Sequence, residues 1–372
     1  MRVLIAPDSF KGTLSATEIC QILTTELGSK FEIITHPLAD GGEGSLEAIA
    51  ACLPHYQWIT LTVTGPLPNQ TVTAKYLWLT ASQTAFIEMA QASGLTLLQP
   101  ADYNPELTTT YGTGELIHHA IQQGAKQIYL VIGGSATNDA GLGCLMALGW
   151  QFFDGAGQRI GYGGQGLSKL ARWLPPPGLV LPPVTVLCDV TNPLYGVNGA
   201  AYVYAPQKGA DASMVKRLDQ GLRHFAQVVQ DQENLDLNFS GAGAAGGLGA
   251  GAKWGLKANL ERGFTAIAQL TQFSEKIQNC DYVITGEGQL DEQSLQGKVI
   301  AGVWELAQKY HKPLILLCGS AVITPSLPDL SIITLVSPDF SLADCLSNPQ
   351  RVLGDRCQAI KQILLNKREI SE

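Results

Sequence analysis

The sequence predicts an α/β fold of two domains: a discontinuous Rossmann-like domain on a parallel sheet, and an inserted mixed-sheet α/β domain. Three observations predict it. Short apolar β-rich runs recur, each ending in a polar, glycine-containing loop and most followed by a helical pattern: RVLIAPDSFKG, FEIITHPLADGGEG, IYLVIGGSATNDAG, VTVLCDVTNPLYG, DYVITGEGQLDEQ and PLILLCGSA. That alternation marks a parallel layered sheet, whose ligands bind beyond the carboxyl ends of the strands. The stretch from about 58 to 89 reads instead as an antiparallel meander with a Pro/Asn turn. The first two strands and those after 280 share one texture, so the chain is expected to leave the first domain and return to it. Residues 1–57 and 275–372 then form the Rossmann-like domain, and 58–274 the insert.

Taken in order, the elements carry start and stop signals. Ser15 and Glu18 form a capping-box pattern, Ile19, Ile22, Leu23 and Leu27 supply an apolar face, and Gly28 can close the helix. WLPPPGLVLPP, residues 173–183, reads as a stiff connector rather than a helix. GELIHHAIQQGA is helical, and its adjacent His118 and His119 point in different directions, a poor shared metal site.

Composition narrows the function classes. The 372-residue chain is 45% hydrophobic but only 15% charged, against about 25% charged in an average soluble protein, so much of it is expected to be buried. A net charge of −8 without a basic cluster argues against nucleic acid and anionic membrane surfaces. Eight scattered cysteines with no C-x-x-C suit reduced core thiols, and no signal peptide or membrane-spanning run is read. The expectation is a soluble cytoplasmic protein whose oligomeric state the sequence leaves open.

Six post-strand loops concentrate carboxylates: Asp8; Asp40 and Glu43; Asp139; Asp189; Glu287 and Asp291. One such acid is commonly a helix cap, but six at strand ends fit a Mg²⁺ nucleotide site, because the hard ion takes oxygen ligands. IYLVIGGSATNDAGLG, residues 128–143, has the grammar of an anion cradle, with glycines, hydroxyls and a following helix, yet it holds no lysine. Positive charge has to come from elsewhere; Lys11, Lys208 and Lys298 are the lysines lying in glycine-containing loops. GAGAAG, residues 241–246, formally matches a dinucleotide fingerprint but follows no clear strand, so it is read as close backbone packing.

Taken together, PDSFKGTLSA, PLADGGEGS, TTTYGTGELI, GGSATNDAGLG, CDVTNPLYG, APQKGA, GAAGGLGAG and GEGQLDEQSLQGK resemble the bacterial glycerate kinase family, of the type I or glycerate 2-kinase kind. Ala140 stands where that family commonly has glycine, Thr13 where serine is common, and Ser294 where threonine is common. The resemblance implies ATP-dependent phosphorylation of D-glycerate with Mg²⁺, usually to 2-phosphoglycerate, at a cleft between two α/β domains. The residues alone stop at a phosphate-handling α/β enzyme.

A kinase has to align an alcohol with the γ-phosphate, accept its proton and neutralise developing charge. By position after apolar strands, Asp189 is the leading base and Asp8 the reserve, with Lys11 as the catalytic cation. Ser9, Ser135, Thr137, Asn138, Asn192, Lys208 and Lys298 are assigned to substrate or phosphate. Asp40, Glu43, Glu287 and Asp291 are expected metal or ribose contacts, with Asp40 and Glu43 placed on the metal and Glu287 and Asp291, beside Gly286 and Gln289, on the nucleotide. The rival readings are a kinase for another small hydroxy acid, an NAD-dependent hydroxy-acid dehydrogenase and a non-catalytic solute-binding protein.

Overall fold

The computed structural model describes residues 1–292, 294, 299–323 and 329–371, the side chains of 367–371 excepted. Among the described residues thirteen strands run in chain order: β1 (Arg2–Ile5), β2 (Glu32–Thr35), β3 (Tyr56–Thr64), β4 (Thr71–Leu79), β5 (Thr84–Glu88), β6 (Gln127–Val131), β7 (Gln151–Phe153), β8 (Arg172–Leu174), β9 (Val184–Leu187), β10 (Asn259–Glu261), β11 (Tyr282–Leu290), β12 (Leu314–Ala321) and β13 (Leu330–Thr334). The chain divides into two compact units, one of residues 1–40, 47–54 and 263–372, the other of 41–46 and 55–262.

The first unit is a five-stranded sheet in the order β13-β12-β11-β1-β2, parallel throughout. Numbered along the chain, those strands run 2-1-3-4-5, the doubly wound order whose direction of winding reverses between the first and third strands. That switch point lies between β1 and β11. Val3 and Ile5 face a core with Leu23, Leu27, Leu353 and Leu364, while Leu4 and Ala6 face a second core with Phe273 and Val303. Burial on both faces explains why β1 reads as a continuous apolar run rather than an alternating one. The helix Ala16–Leu27 begins with the Ser15–Glu18 capping box and ends at Gly28, whose N–H donates to Thr24 while its φ stays at −63°. Gly28 therefore closes the helix without a left-handed turn.

The second unit holds a six-stranded mixed sheet, β10-β9-β6-β5-β4-β3. β3, β4 and β5 pair antiparallel, as the meander predicts, and β5, β6, β9 and β10 pair parallel. Trp173 and Leu174 of the proline-rich stretch belong to β8, which pairs with β7; the prolines follow outside any strand or helix. Trp254, fully buried, anchors this unit's core, with ring centroids of Trp150, Trp173 and Phe225 within 4.9–5.5 Å. GAGAAG leads into the segment Ala244–Gly255 with Ala245, Gly246 and Gly247 in left-handed conformations. The preceding strand in sequence, β9, ends more than fifty residues earlier. No strand feeds this turn, so it lacks the βαβ frame of a dinucleotide fingerprint.

Candidate active site

In the first unit, three adjacent strand ends bring acids together. Beyond β1 the chain stays paired to β11, since Ala6 N–H donates to Ile284 at 2.7 Å and Asp8 N–H to Gly286 at 2.9 Å. It also runs beside the continuation of β2, where Leu38 N–H donates to Pro7 at 2.9 Å. Asp8, Asp40 and Glu287 therefore converge at the carboxyl side of the switch point. The Asp8 carboxyl is 8% exposed and its acidity is weakened to a pKa of about 7, first by burial and then by the charge of Asp40. A backbone hydrogen bond from Ser9, at 2.6 Å, and the Lys11 charge oppose that rise. Lys11 stands in the tight turn Phe10–Leu14, closed by Phe10 N–H to Leu14 O at 2.7 Å. Its ammonium lies 3.5 Å from Asp40 Oδ2, and the Asp40 charge raises its pKa above the ordinary lysine value.

Gly286 has a steric reason. A side chain at Gly286 would collide with the Leu317 carbonyl, whereas one at Gly288 would make ordinary contacts with Phe10 and Lys11. Glu287 is half-buried and Gln289 exposed. The Asp291 carboxylate accepts from Ser294 N–H at 3.1 Å, so part of its role is to hold that turn. Lys298 lies outside the described residues.

The second unit carries the anion-type loop. Between β6 and the helix Leu142–Ala147 the segment 133–141 is braced from several sides. Ala136 N–H donates to Ser93 O at 2.9 Å, Thr108 Oγ1 to Ala136 O at 2.8 Å, and Ala140 N–H to Gly246 O at 3.1 Å. Ala140 is left-handed at φ 51°, a conformation that glycine adopts without the strain a Cβ brings. Asp139 is 1% exposed and accepts from Thr110 N–H and Oγ1, Gly141 N–H, Gly143 N–H and, at 3.4 Å, Thr109 Oγ1. Burial raises its pKa, and those donors hold the rise back. The sequence grouped Asp139 with the acids of a metal–nucleotide site, whereas its donors make it the knot that fixes the loop.

Lys208 supplies the amine the loop lacks. It is 2% exposed, and its Nζ donates to Ser135 Oγ at 2.8 Å and to Thr137 O at 2.7 Å. Burial lowers its pKa to about 7, against the pull of Asp139. Beside it, Thr137 Oγ1 and both amide atoms of Asn138 are buried with no hydrogen-bond partner among the described residues. Each such atom costs about 1–3 kcal/mol unless something else pairs it. An oxyanion bearing a hydroxyl would pair all three.

The remaining expected residues sit apart from that cluster in their bonding. Asn192 is committed locally, donating to Asn198 O at 2.8 Å and accepting from Tyr204 at 2.6 Å, so it shapes the loop after β9. Asp189, two residues past β9, is half-exposed. Glu43 accepts from Thr96 Oγ1 at 3.5 Å. No group of three or more His, Cys, Asp or Glu side chains able to hold a metal occurs among the described residues. His119 Nδ1 pairs with the Tyr76 hydroxyl at 3.0 Å, consistent with a structural histidine.

Two contributions escape a reading of the sequence alone. Glu88, fully buried at the end of β5, accepts from Gly44 N–H at 3.1 Å and ties down the glycine loop at 41–44. Its signal is an acid ending an otherwise apolar strand, TAFIE. Thr108, Thr109 and Thr110, all fully buried, brace the anion-type loop and were visible only as part of TTTYGTG.

A doubly wound sheet with carboxylates at its switch point, and a mixed sheet whose loop after β6 is backed by Lys208, give an α/β fold whose polar side chains gather at strand ends, the arrangement of an α/β enzyme. The chain belongs to the glycerate kinase family, whose model matches residues 3–365. It is 44% identical to the glycerate 2-kinase of Escherichia coli K12 over 86% of this chain and 85% of that protein, and 42% identical to a glycerate kinase of Bacillus cereus over the same shares. A crystal structure described as glycerate kinase 2 of Salmonella typhimurium LT2 superposes with a TM-score of 0.80 at 38% identity, covering 98% of this chain and 99% of that one. The enzyme is thus a kinase of this family, and no helix among its described residues is long and apolar enough to cross a membrane.

Proposed function

We propose that the enzyme transfers the γ-phosphoryl group of ATP, with Mg²⁺, to the 2-hydroxyl of D-glycerate and releases 2-phosphoglycerate. The observation that carries the reading is the Asp8 carboxyl, held near pH 7 at the β1/β11 switch point. A base is most useful when its pKa lies near the working pH. Asp8 takes the hydroxyl proton as the alcohol attacks, and Asp189 is the second candidate for that proton. The name of the Escherichia coli relative supports the 2-hydroxyl as the acceptor.

Lys11 neutralises charge on the transferring group, and its bond to Asp40 keeps the ammonium near the acids. Ser9 orients Asp8 through its N–H. Gly286 lets β11 run close to Leu317 of β12, and the main-chain groups of 286–289 are the proposed nucleotide contacts. A Mg²⁺ ion held at the switch-point carboxylates would supply positive charge against the phosphate oxygens of the nucleotide. The residues fit such an ion: Asp40 and Glu287 both raise the Asp8 pKa, an excess of negative charge that a hard cation relieves. Mg²⁺ typically takes only one or two protein carboxylates besides phosphates and water, so a cage of three is not required. Asp40 is the carboxylate of the first unit proposed to hold it, and Glu287 and Asp291 the nucleotide contacts. Eight free cysteines support a cytosolic setting.

An ADP-release assay with ATP, Mg²⁺ and a panel of D-glycerate, L-glycerate and tartronate tests the reading. D-glycerate is expected to give the highest kcat/KM. Preference for another acid would replace the substrate while keeping the kinase.

A further inference from the structure

We infer that Ser135, Thr137, Asn138 and Lys208 form the seat for the carboxylate and 3-hydroxyl of the acceptor, and that Lys208 takes up a proton as the acid binds. This rests on the phosphorylation of a hydroxy acid proposed above and says which end of which substrate the second unit receives.

The donor and acceptor inventory selects the ligand. Asn138 presents one buried donor and one buried acceptor, both without partners among the described residues, and this is so whichever way its amide is oriented. Thr137 Oγ1 adds a hydroxyl that can serve either role. The phosphate chain of ATP offers chiefly acceptors near neutral pH and would leave the Asn138 carbonyl unpaired. Glycerate offers both, its carboxylate accepting from Asn138 Nδ2 and its 3-hydroxyl donating to Asn138 Oδ1, which leaves the 2-hydroxyl proton for the base. Ser135, at 8% exposed, is the least enclosed member of the cluster.

The charge argument is independent. Both partners of Lys208 Nζ are neutral oxygens, Ser135 Oγ and Thr137 O. Asp139 is the charged group whose field reaches the amine, and its carboxylate is already shared among Thr109, Thr110, Gly141 and Gly143. Of the neighbouring tyrosines, Tyr103 backs Gly209 through its main chain and Cβ, and the Tyr204 hydroxyl is spent on Asn192. A neutral amine satisfies Ser135 and Thr137 with its two N–H groups and keeps a lone pair. When the acid arrives, that lone pair takes one proton from solvent, and the new N–H donates to the carboxylate. Nothing else is consumed: the ligand stays an anion and the lysine becomes its counter-ion.

Isothermal titration of the full-length protein with D-glycerate at pH 8, in two buffers of different ionisation enthalpy, reads the proton directly. Uptake of about one proton per glycerate is expected from a lysine titrating near 7, and Lys208→Met should abolish it. Thr137→Val guards against a variant that merely misfolds. It is expected to keep or raise thermal stability, weaken glycerate binding on the order of tenfold, and leave ATP affinity unchanged. No uptake with glycerate in the wild type, uptake with ATP in place of glycerate that Lys208→Met abolishes, or unchanged glycerate affinity in Thr137→Val would overturn the inference. A lack of turnover with D-glycerate would instead fault the substrate reading, so the two failures are distinguishable.

Discussion

The N–H of Asp8 donates to the carbonyl of Gly286 at 2.9 Å, so β1 and β11 remain joined beyond the last regular pair, Ile5 with Ile284. That bond fixes Asp8 beside Glu287 at the switch point and makes its acidity a property of the sheet. An acid limb at or below pH 7 is therefore expected in the kcat/KM profile, activity rising as Asp8 ionises, because bound Mg²⁺ offsets part of the negative charge that raises this carboxyl. Asp8→Asn should lower kcat by about 10²–10⁴-fold. Full turnover in that variant, with a limb unchanged, would move the base to Asp189.

The neighbours of Asp8 should shift that limb in opposite directions. Asp40 raises the Asp8 pKa and Lys11 lowers it. Asp40→Asn is expected to move the limb to lower pH and Lys11→Met to higher pH, read from the same pH–rate measurement. A common direction for both would refute the electrostatic account.

Asp8 also predicts a stability trend. Its carboxyl rises from 3.8 to about 7 on folding, so the folded state binds the proton more tightly. Its contribution favours folding most below the unfolded value and is lost as pH climbs from about 4 to about 7. Denaturation across that window should show a steeper decline in the wild type than in Asp8→Asn.

Asp139 is a positioning residue whose five donors leave no place for a second amide group. In Asp139→Asn the introduced NH₂ faces donors, and each donor left unpaired costs about 1–3 kcal/mol. A clear drop in Tm is expected, together with a higher KM for glycerate. Unaltered stability would mean that the loop is held by other means.

Gly246 tests the close approach of two turns. Its φ is 66°, and a Cβ there would collide with the Thr137 carbonyl. Gly246→Ala should displace Thr137 and Asn138 and raise the glycerate KM about tenfold or more, a prediction grounded in the strain of both conformation and contact. Steady-state kinetics with glycerate varied at saturating ATP measures it.

How far the sequence reaches depends on the range of the interaction. The capping box at Ser15 and the meander of β3, β4 and β5 are local, and the pattern of polar and apolar residues exposes them directly. The convergence of Asp8, Asp40 and Glu287 was legible as acids at strand ends, because a parallel sheet places all carboxyl ends on one side. Other features depend on contacts distant in sequence. PQKGA marks Lys208 as a candidate lysine, but its burial against Ser135 and Thr137, more than seventy residues earlier, appears only in the fold. Glu88 and the threonines at 108–110 act through loops that no periodicity connects to them. Asp139 carried the same signature as the other acids, and only its donors distinguish a structural carboxylate from a reactive one.

The central claim is tested most directly by NMR of the product formed from purified enzyme, ATP, Mg²⁺ and D-glycerate. Accumulation of 2-phosphoglycerate in step with ADP is the predicted result. A 3-phosphoglycerate product would contradict the assigned hydroxyl, and ADP-independent or absent turnover by folded enzyme would contradict phosphoryl transfer from ATP to this acid.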